Sequence, residues 1–192
     1  MYSLFLDTHD KKVIIILFKN CKVIDHFELI SNNKHSVITL PAIKNILENN
    51  NLLVKDLNEV IVVNGPGSFT GERIAVTIAK TMAFALNIPI KVIDSLSVMA
   101  ININSDDKYV AISDRNGAFV GHFDKNNSIL EPFVYLSTSD FLLYSQKYKV
   151  YESVDINYEL VYSYVKQLKS VNPHEVKPLY VKGISVLNDK RA

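Results

Sequence analysis

The chain has 192 residues, of which 48% are hydrophobic and 21% charged, and its formal net charge is +1. This length and composition are typical of a globular protein with one domain or two small ones, and the charge gives no indication of a nucleic-acid- or membrane-binding surface. The single cysteine, Cys21, excludes an intrachain disulfide and fits a reducing compartment. The aliphatic runs are too short for a signal peptide or a membrane span, so we expect a cytoplasmic protein that does not bind membranes.

The first half of the sequence predicts three strands followed by alternating helices and strands. Short runs rich in Ile, Val and Phe, separated by polar turns, indicate the strands, and apolar residues at helical spacing indicate the helices. Pro41 lies inside the first helix and predicts either a kink or a helix start near Leu40. The predicted elements are strands 2–7, 12–18 and 22–29, helix 35–49, strand 60–64, helix 72–86, strand 90–94 and helix 95–101.

The second half repeats the opening of that order. Strands 109–113 and 118–124 are joined by an Asn-Gly pair that suits a tight hairpin, and strand 129–136, helix 140–147, strand 149–152 and helix 158–169 follow. Ser137, Thr138 and Ser139 are candidate caps for the helix at 140–147. The last helix is predicted to bury one face, formed by Leu160, Val161, Tyr164, Val165 and Leu168. In the weakly patterned end of the chain, residues 178–181 are expected to dock and the last residues to fray.

Both halves therefore run β-β-β-α-β-α, which predicts a duplicated α/β domain with a cleft between two lobes. The polar segment 102–108 is a plausible joint, so the predicted lobes are residues 1–101 and the smaller 102–192. A single larger mixed sheet with a coincidental order is the alternative.

The stretch GPGSFTG at residues 65–71 joins a predicted strand to a predicted helix, which is the usual setting of a phosphate-binding loop. It lacks the lysine of a P-loop, the third glycine of the dinucleotide fingerprint and the glycines of a nucleophile elbow. Glu72 follows directly, where its carboxylate would complement the helix dipole and repel a phosphate. We therefore favour a tight strand-to-helix connection in which Ser68 or Thr70 caps the helix.

The helix at 72–86 has two usable faces. Ile74, Ile78, Met82 and Leu86 form one apolar stripe, and small alanines at 75, 79 and 83 form the next. The opposite side carries Arg73, Thr77, Lys80 and Phe84. Either Phe84 is simply half-buried, or this side contacts a partner.

Several stretches, read together, resemble one known family. GPGSFTG followed by Arg73 and Ile74 is similar to the signature of the TsaB (YeaZ) family, the dimerisation subunit of the bacterial tRNA threonylcarbamoyladenosine machinery. The resemblance is dense over residues 4–100. Further matches are Leu6-Asp7-Thr8, His35-Ser36 with Leu40-Pro41 and Ile43, Ala79-Lys80, Ala83-Phe84, Ile88-Pro89, Ser95-Leu96, Ala100 and Pro178-Leu179-Tyr180-Val181. Departures from the family pattern are Glu72 for leucine, Ala75 for glycine, His9 for serine, and a short second half.

The resemblance implies a fold of the actin/Hsp70 type (ASKHA) with two ribonuclease H-like halves, and a chain that is not itself the catalyst. Family members pair with a larger TsaD-type paralogue, which binds metal and nucleotide and transfers the threonylcarbamoyl group to tRNA, and a small TsaE-type ATPase joins them. It also implies no metal or cofactor in the isolated chain, a homodimer when the chain is alone, contact with tRNA only through the complex, and ATP or ADP near the assembled interface.

The family pairs through the helices on either side of the glycine motif, which gives the expected site residues. The expected interface comprises His35, Ser36, Thr39, Ile43, Arg73, Thr77, Lys80, Thr81 and Phe84. The motif loop comprises Gly65, Pro66, Gly67, Ser68, Phe69, Thr70 and Gly71, and the residues expected beside a nucleotide are Asp7 and Thr8.

A second hypothesis is that the chain is itself an enzyme. Asp7 ends the first strand and Asp114 ends its counterpart in the second half, so the two are candidate catalytic acids of a small nucleotide-hydrolysing or peptidase-like ASKHA enzyme. Both are equally well explained as turn aspartates. The five histidines show no metal-ligand spacing.

Overall fold

The computed structural model describes residues 1–31 and 34–181, and it contains two sheets. The first sheet has the order β3-β2-β1-β4-β5, with β1, β2 and β3 antiparallel and β4 and β5 parallel to β1. Its elements are β1 (Tyr2–Asp7), β2 (Lys12–Lys19), β3 (Lys22–Ile30), α1 (His35–Asn49), β4 (Glu59–Val63), α2 (Phe69–Leu86), β5 (Ile90–Ile93) and α3 (Ser95–Ala100).

The second sheet repeats this topology with one strand fewer. Its order is β8-β7-β6-β9, in which β6, β7 and β8 are antiparallel and β9 is parallel to β6. Its elements are β6 (Asp107–Ser113), β7 (Gly117–Asp124), β8 (Ile129–Ser137), α4 (Thr138–Lys147), β9 (Val150–Tyr151) and α5 (Tyr158–Val165). The repeated order confirms the predicted duplicated α/β fold and excludes the single mixed sheet.

Both faces of the first sheet are covered, which explains why β1, β2 and β4 are apolar almost throughout. On one face, side chains such as Leu4, Ile15 and Val62 pack against α1 and α2. On the other face, Phe5 and Ile61 pack against α3 and α5.

The helix α5 lies on the first sheet, although it comes from the second half of the chain. Val161, Tyr162 and Val165 are buried there, and the Tyr162 hydroxyl is 2.9 Å from the hydroxyl of Ser3 on β1. The predicted division into residues 1–101 and 102–192 therefore separates the two sheets. It does not separate two independently packed units, since α5 belongs to the second range but packs on the first sheet. The reason is that the apolar face of α5 finds its partner surface on the first sheet.

Three local predictions need correction. The helix α1 has the predicted bounds, His35–Asn49, and continues through Pro41, so the alternative start near Leu40 is wrong; Ala42 and Ile43, which follow the proline, pack on the core. In α5, Leu160 is 50% exposed while Tyr162 is buried, so the predicted buried face was wrong at these positions. The helix also ends at Val165 rather than at residue 169.

Within residues 1–31 and 34–181, no helix combines the length and apolarity needed to cross a bilayer.

Candidate functional site

The motif loop is packed tightly against the end of β1, and its glycines are required by that packing. Gly65 has a φ of +103°, in the region that favours glycine. A Cβ atom at Gly67 would overlap with the carbonyl oxygen of His9, and one at Gly71 would overlap with the carbonyl oxygen of Thr8. The Thr8 hydroxyl also donates to the Gly71 carbonyl at 2.5 Å. The glycines therefore allow a close approach between two parts of the chain.

Hydrogen bonds within the chain engage the polar backbone groups of this loop. The Ser68 N–H donates to the His9 carbonyl at 2.5 Å, and the Ser95 N–H donates to the Gly65 carbonyl at 2.8 Å. The Ser95 hydroxyl donates to the carbonyl of Pro66 at 2.6 Å. Of the two predicted caps, Ser68 is the one used: its hydroxyl accepts the Gly71 N–H, so α2 begins at Phe69 instead of at residue 72.

Glu72 lies differently from the sequence prediction. The side chain is only 2% exposed and packs against the motif loop, with its carboxyl carbon 2.5 Å from where a Cβ atom at Gly65 would lie. Its Oε2 atom has no hydrogen-bond partner within the described residues. Burial raises the pKa of Glu72 to about 7, against the opposing effects of the Gly67 N–H, His9 and Arg73. The carboxylate expected to complement the helix dipole is thus a buried group whose pKa burial raises to about 7.

Asp7 and His9 form a close pair beside this carboxyl. Asp7 Oδ1 lies 2.6 Å from His9 Nδ1 and accepts the backbone N–H of His9 at 3.0 Å. Burial opposes a charge on the imidazole, but the pKa of His9 is still raised because Asp7 favours the protonated ring, with smaller contributions from Asp10 and Glu72. The two residues expected beside a nucleotide therefore both bond within the chain: Asp7 pairs with His9, and Thr8 donates to Gly71.

A cleft of about 1040 Å³ separates the motif loop from the second lobe. Its lining combines aromatic, aliphatic and charged side chains from both lobes and from the end of the described chain: His9, Asp10, Lys11, Gly67, Ser68, Phe69, Glu72, Ile112, Ser113, Asp114, Arg115, Asn116, Phe119, Leu179, Tyr180 and Val181. Asp114 lines the cleft and accepts hydrogen bonds from the Tyr135 hydroxyl and the Asn116 N–H. Asp7 is not in the lining. Among the described residues there is no group of three or more acidic, histidine or cysteine side chains placed to hold a metal ion.

A shallow groove of about 440 Å³ runs between α1 and α2 on the outer surface of the first lobe. Its lining is partly apolar: Ser36, Leu40, Phe69, Thr70, Arg73, Ile74, Thr77 and Ile78. Leu40 is 56% exposed, and next to it on α1 Val37 is 68% exposed. Of the predicted interface, Ser36, Arg73 and Thr77 line this groove, while Thr81 and Phe84 are exposed farther along α2. We call this surface the α1–α2 groove.

Three residues of the predicted interface are interior. The His35 ring contacts the Asp10 carbonyl at 2.7 Å, the Thr39 hydroxyl donates to the His35 carbonyl at 2.7 Å, and Ile43 belongs to the core beneath α1. Side chains that pack inside the chain cannot contact a partner on its surface. The predicted contributions of His35, Thr39 and Ile43 to the interface are therefore corrected to a structural role in seating α1.

The segment 172–181 lies along α2, and we call it the C-terminal strap. Its expected docking is confirmed, since the Leu179 N–H donates to the Asn64 carbonyl at 2.8 Å. The Arg73 guanidinium stacks 3.6 Å over the Phe69 ring, and its Nε donates to the Tyr180 hydroxyl at 2.8 Å.

Farther along α2, the same strap engages two more predicted interface residues. Lys80 donates to the carbonyls of His174 and Val176 at 3.4 and 3.3 Å, and Phe84 packs edge-on against the His174 ring. Sequence reasoning missed that the strap shares Arg73, Lys80 and Phe84 with the expected partner surface. The weak pattern of the strap gave no signal of where it would dock.

A family model, curated relatives and solved structures all match this chain to the family that its sequence resembles. A family model described as TsaD, tRNA N6-adenosine threonylcarbamoyltransferase, matches residues 29–131. The tRNA threonylcarbamoyladenosine biosynthesis protein TsaB of Bacillus subtilis is 35% identical over 137 residues, which cover 70% of this chain and 60% of that protein. The protein of the same name from Escherichia coli is 27% identical over 147 residues, covering 69% of this chain and 63% of that protein. The chain thus spans about 60% of the length of these TsaB relatives.

Other similar proteins extend over nearly the whole chain. An uncharacterized protein of Mycoplasma pneumoniae is 25% identical over 193 residues, covering 94% of this chain and 95% of that protein. YeaZ from Pseudomonas aeruginosa superposes with a TM-score of 0.76 at 16% identity, over 93% of this chain and 99% of that one. At this identity the structural likeness establishes the shared fold.

Proposed function

The chain belongs to the TsaB (YeaZ) family of tRNA threonylcarbamoyladenosine biosynthesis proteins, and from this premise we propose that it is a non-catalytic subunit that pairs with a TsaD-type transferase through the α1–α2 groove. The observation that carries the proposal is the groove itself. Two neighbouring helices present the exposed apolar side chains of Leu40 and Phe69 there, beside the polar side chains of Thr77 and Arg73. An apolar centre with a polar rim is the usual anatomy of a protein interface.

The contacts of the motif loop support a role in positioning α2 for a partner rather than a role in catalysis. The backbone of the loop is hydrogen-bonded to the end of β1 and to Ser95, and the Glu72 carboxyl packs against it. An anion approaching the first turn of α2 would therefore lie beside the Glu72 carboxyl, and the N–H groups of Gly71 and Glu72 already bond to Ser68. The loop holds α2 in place so that Phe69 and Thr70 form one end of the groove.

The wider assembly follows from the family. We propose that a TsaE-type ATPase joins the pair, that tRNA is contacted only through the complex, and that the chain self-associates through the same groove when it is alone. ATP or ADP would lie near the assembled interface rather than in this chain by itself. The relatives are named for tRNA modification, which supports a cytoplasmic location.

The test is co-elution of the purified chain with the transferase paralogue. Thr77→Glu places a charge in the groove and should abolish co-elution while leaving the circular dichroism spectrum unchanged, because Thr77 is exposed. Thr138→Glu is the matched control, since Thr138 begins α4 in the second lobe and is also exposed. Unchanged co-elution of Thr77→Glu would refute the proposed surface.

Reconstitution then tests the role. The paralogue, the ATPase, threonine, bicarbonate, ATP and tRNA are combined with and without this chain, and the modified nucleoside is measured. Modification that is equally rapid without the chain would refute an activating subunit.

One observation favours the enzyme hypothesis. Asp114 lines the cleft on the side of the second lobe, and on the opposite side Asp7 pairs with His9, which also lines the cleft. It predicts ATP turnover by the pure chain that Asp7→Ala removes. A pure chain that neither binds nor hydrolyses ATP would end this second candidate.

A further inference from the structure

The first turn of α2 carries the groove on its outer side and a buried carboxyl on its inner side. Phe69, Thr70 and Arg73 line the α1–α2 groove, and Glu72, in the same turn, packs against Gly65 of the motif loop. Phe69 also lines the interlobe cleft. A change at the inner carboxyl therefore reaches the groove within a single helical turn.

The space around Glu72 fits a neutral carboxyl better than a charged one. The side chain is 2% exposed, and its carboxyl occupies the space that a side chain at Gly65 would fill. The Gly67 N–H bonds to the carboxyl, but Oε2 has no partner within the described residues. An ionised carboxylate with an unpartnered buried oxygen is costly, and the cost is relieved either by a proton or by opening of the turn toward water.

The charges around Glu72 come from three elements. Its own helix contributes Arg73, which stacks on Phe69 and bonds to Tyr180. The connection from β1 to β2 contributes the Asp7–His9 pair, and across the cleft lies the β6–β7 turn. Within residues 1–31 and 34–181, the titratable and charged groups that act on Glu72 or His9 or line the adjoining cleft are Asp7, His9, Asp10, Lys11, Arg73, Asp114 and Arg115.

We propose that Glu72 and His9 form a proton-operated latch beneath the first turn of α2, which holds the Phe69 end of the groove in place below neutral pH and releases it above. This deepens the proposed function and rests on it for the identity of the partner. Below neutrality, Glu72 is uncharged and His9 is protonated beside Asp7, so the closed packing carries no unpaired charge. Above neutrality, Glu72 is ionised, and the buried carboxylate then holds a charge while its Oε2 atom has no hydrogen-bond partner within the described residues.

The latch is tested first in the isolated full chain, without any partner. Amide hydrogen exchange of residues 68–73 is measured between about pH 6 and pH 8 and corrected for the intrinsic pH dependence of exchange. Protection should fall by about tenfold in the wild type, the effect over this pH range of a carboxyl whose pKa is about 7 in the closed state and 4.5 in the open state, and it should stay constant in Glu72→Gln. Glu48→Gln is the matched control, because Glu48 is exposed on α1 and does not line the groove; it should behave as the wild type does. Equal pH dependence in the wild type and Glu72→Gln would overturn the latch.

The second arm measures affinity for the transferase paralogue at the same two pH values. The wild type should bind more weakly at the higher pH by a similar factor, and Glu72→Gln should bind equally at both. No binding at either pH would refute the proposed function, while the exchange measurement would still decide the latch by itself. If Glu72→Gln does not fold, a carbon-13 NMR titration of the wild-type carboxyl decides: a midpoint near the ordinary value of glutamate would overturn the proposal.

Discussion

The buried carboxyl of Glu72 makes the stability of the whole chain depend on pH in a way that a single substitution should remove. In the folded chain the pKa of Glu72 is raised from the ordinary value of 4.5 to about 7, because burial disfavours the charge. At about 1.4 kcal/mol per pKa unit, this corresponds to about 3 kcal/mol of linkage at most. Because the folded value is the higher one, the contribution is complete below pH 4.5 and is lost as the pH rises through about 7.

Glu72→Gln keeps the shape of the side chain and removes its proton equilibrium. We expect the unfolding free energy of the variant, relative to that of the wild type, to rise by about 3 kcal/mol between about pH 4 and pH 8. Urea unfolding followed by circular dichroism at a series of pH values measures this difference directly. Parallel stability curves for the two proteins would show that Glu72 is already ionised in the fold, and the reasoning about its burial would be refuted.

Three further predictions concern side chains that pack within the first lobe or onto it. Gly71→Ala should cost about 3 kcal/mol or more in urea unfolding, because the new Cβ would overlap with the Thr8 carbonyl; a neutral result would mean that the loop relaxes freely. Tyr162→Phe keeps the buried ring but removes the hydroxyl that donates to Glu59, and should cost about 1–2 kcal/mol, whereas no loss would show that the network adds nothing. Val176→Ala should cost about 2 kcal/mol if the C-terminal strap is docked in the core as described, and nothing if it is not.

Much of the fold could be predicted because the spacing of apolar residues and the turn residues between them set each strand and helix locally. The order of strands and helices in both halves follows from apolar runs and from local caps such as Ser68 and Ser137. The face of α5 could not be predicted reliably. Val161 and Val165 fit a generic amphipathic helix, but burial of Tyr162 instead of Leu160 depends on hydroxyl and carboxylate partners on β1 and β4.

The candidate site was less predictable, because its key contacts join distant parts of the chain. Glu72 has the sequence position of a residue that complements a helix dipole, and only the approach of Thr8 and His9 to the motif loop encloses it. In the same way, the family pattern placed Thr39 at the interface, whereas packing of α1 turns this side chain inward. From the sequence, the exposed apolar residues of the groove could be assigned to one side of an amphipathic helix. Whether that side would be exposed could not be predicted.

The placement of α5 has a consequence for how the protein is made. The second face of the first sheet, with Phe5, Phe18 and Ile61, is covered by a helix that ends at Val165. A ribosome that has released only the first hundred residues has therefore exposed a sheet of which part of the apolar covering, the share contributed by α5, is still untranslated. Completion of the first lobe must await synthesis through Val165, and until then the uncovered apolar surface is a place where the nascent chain can aggregate.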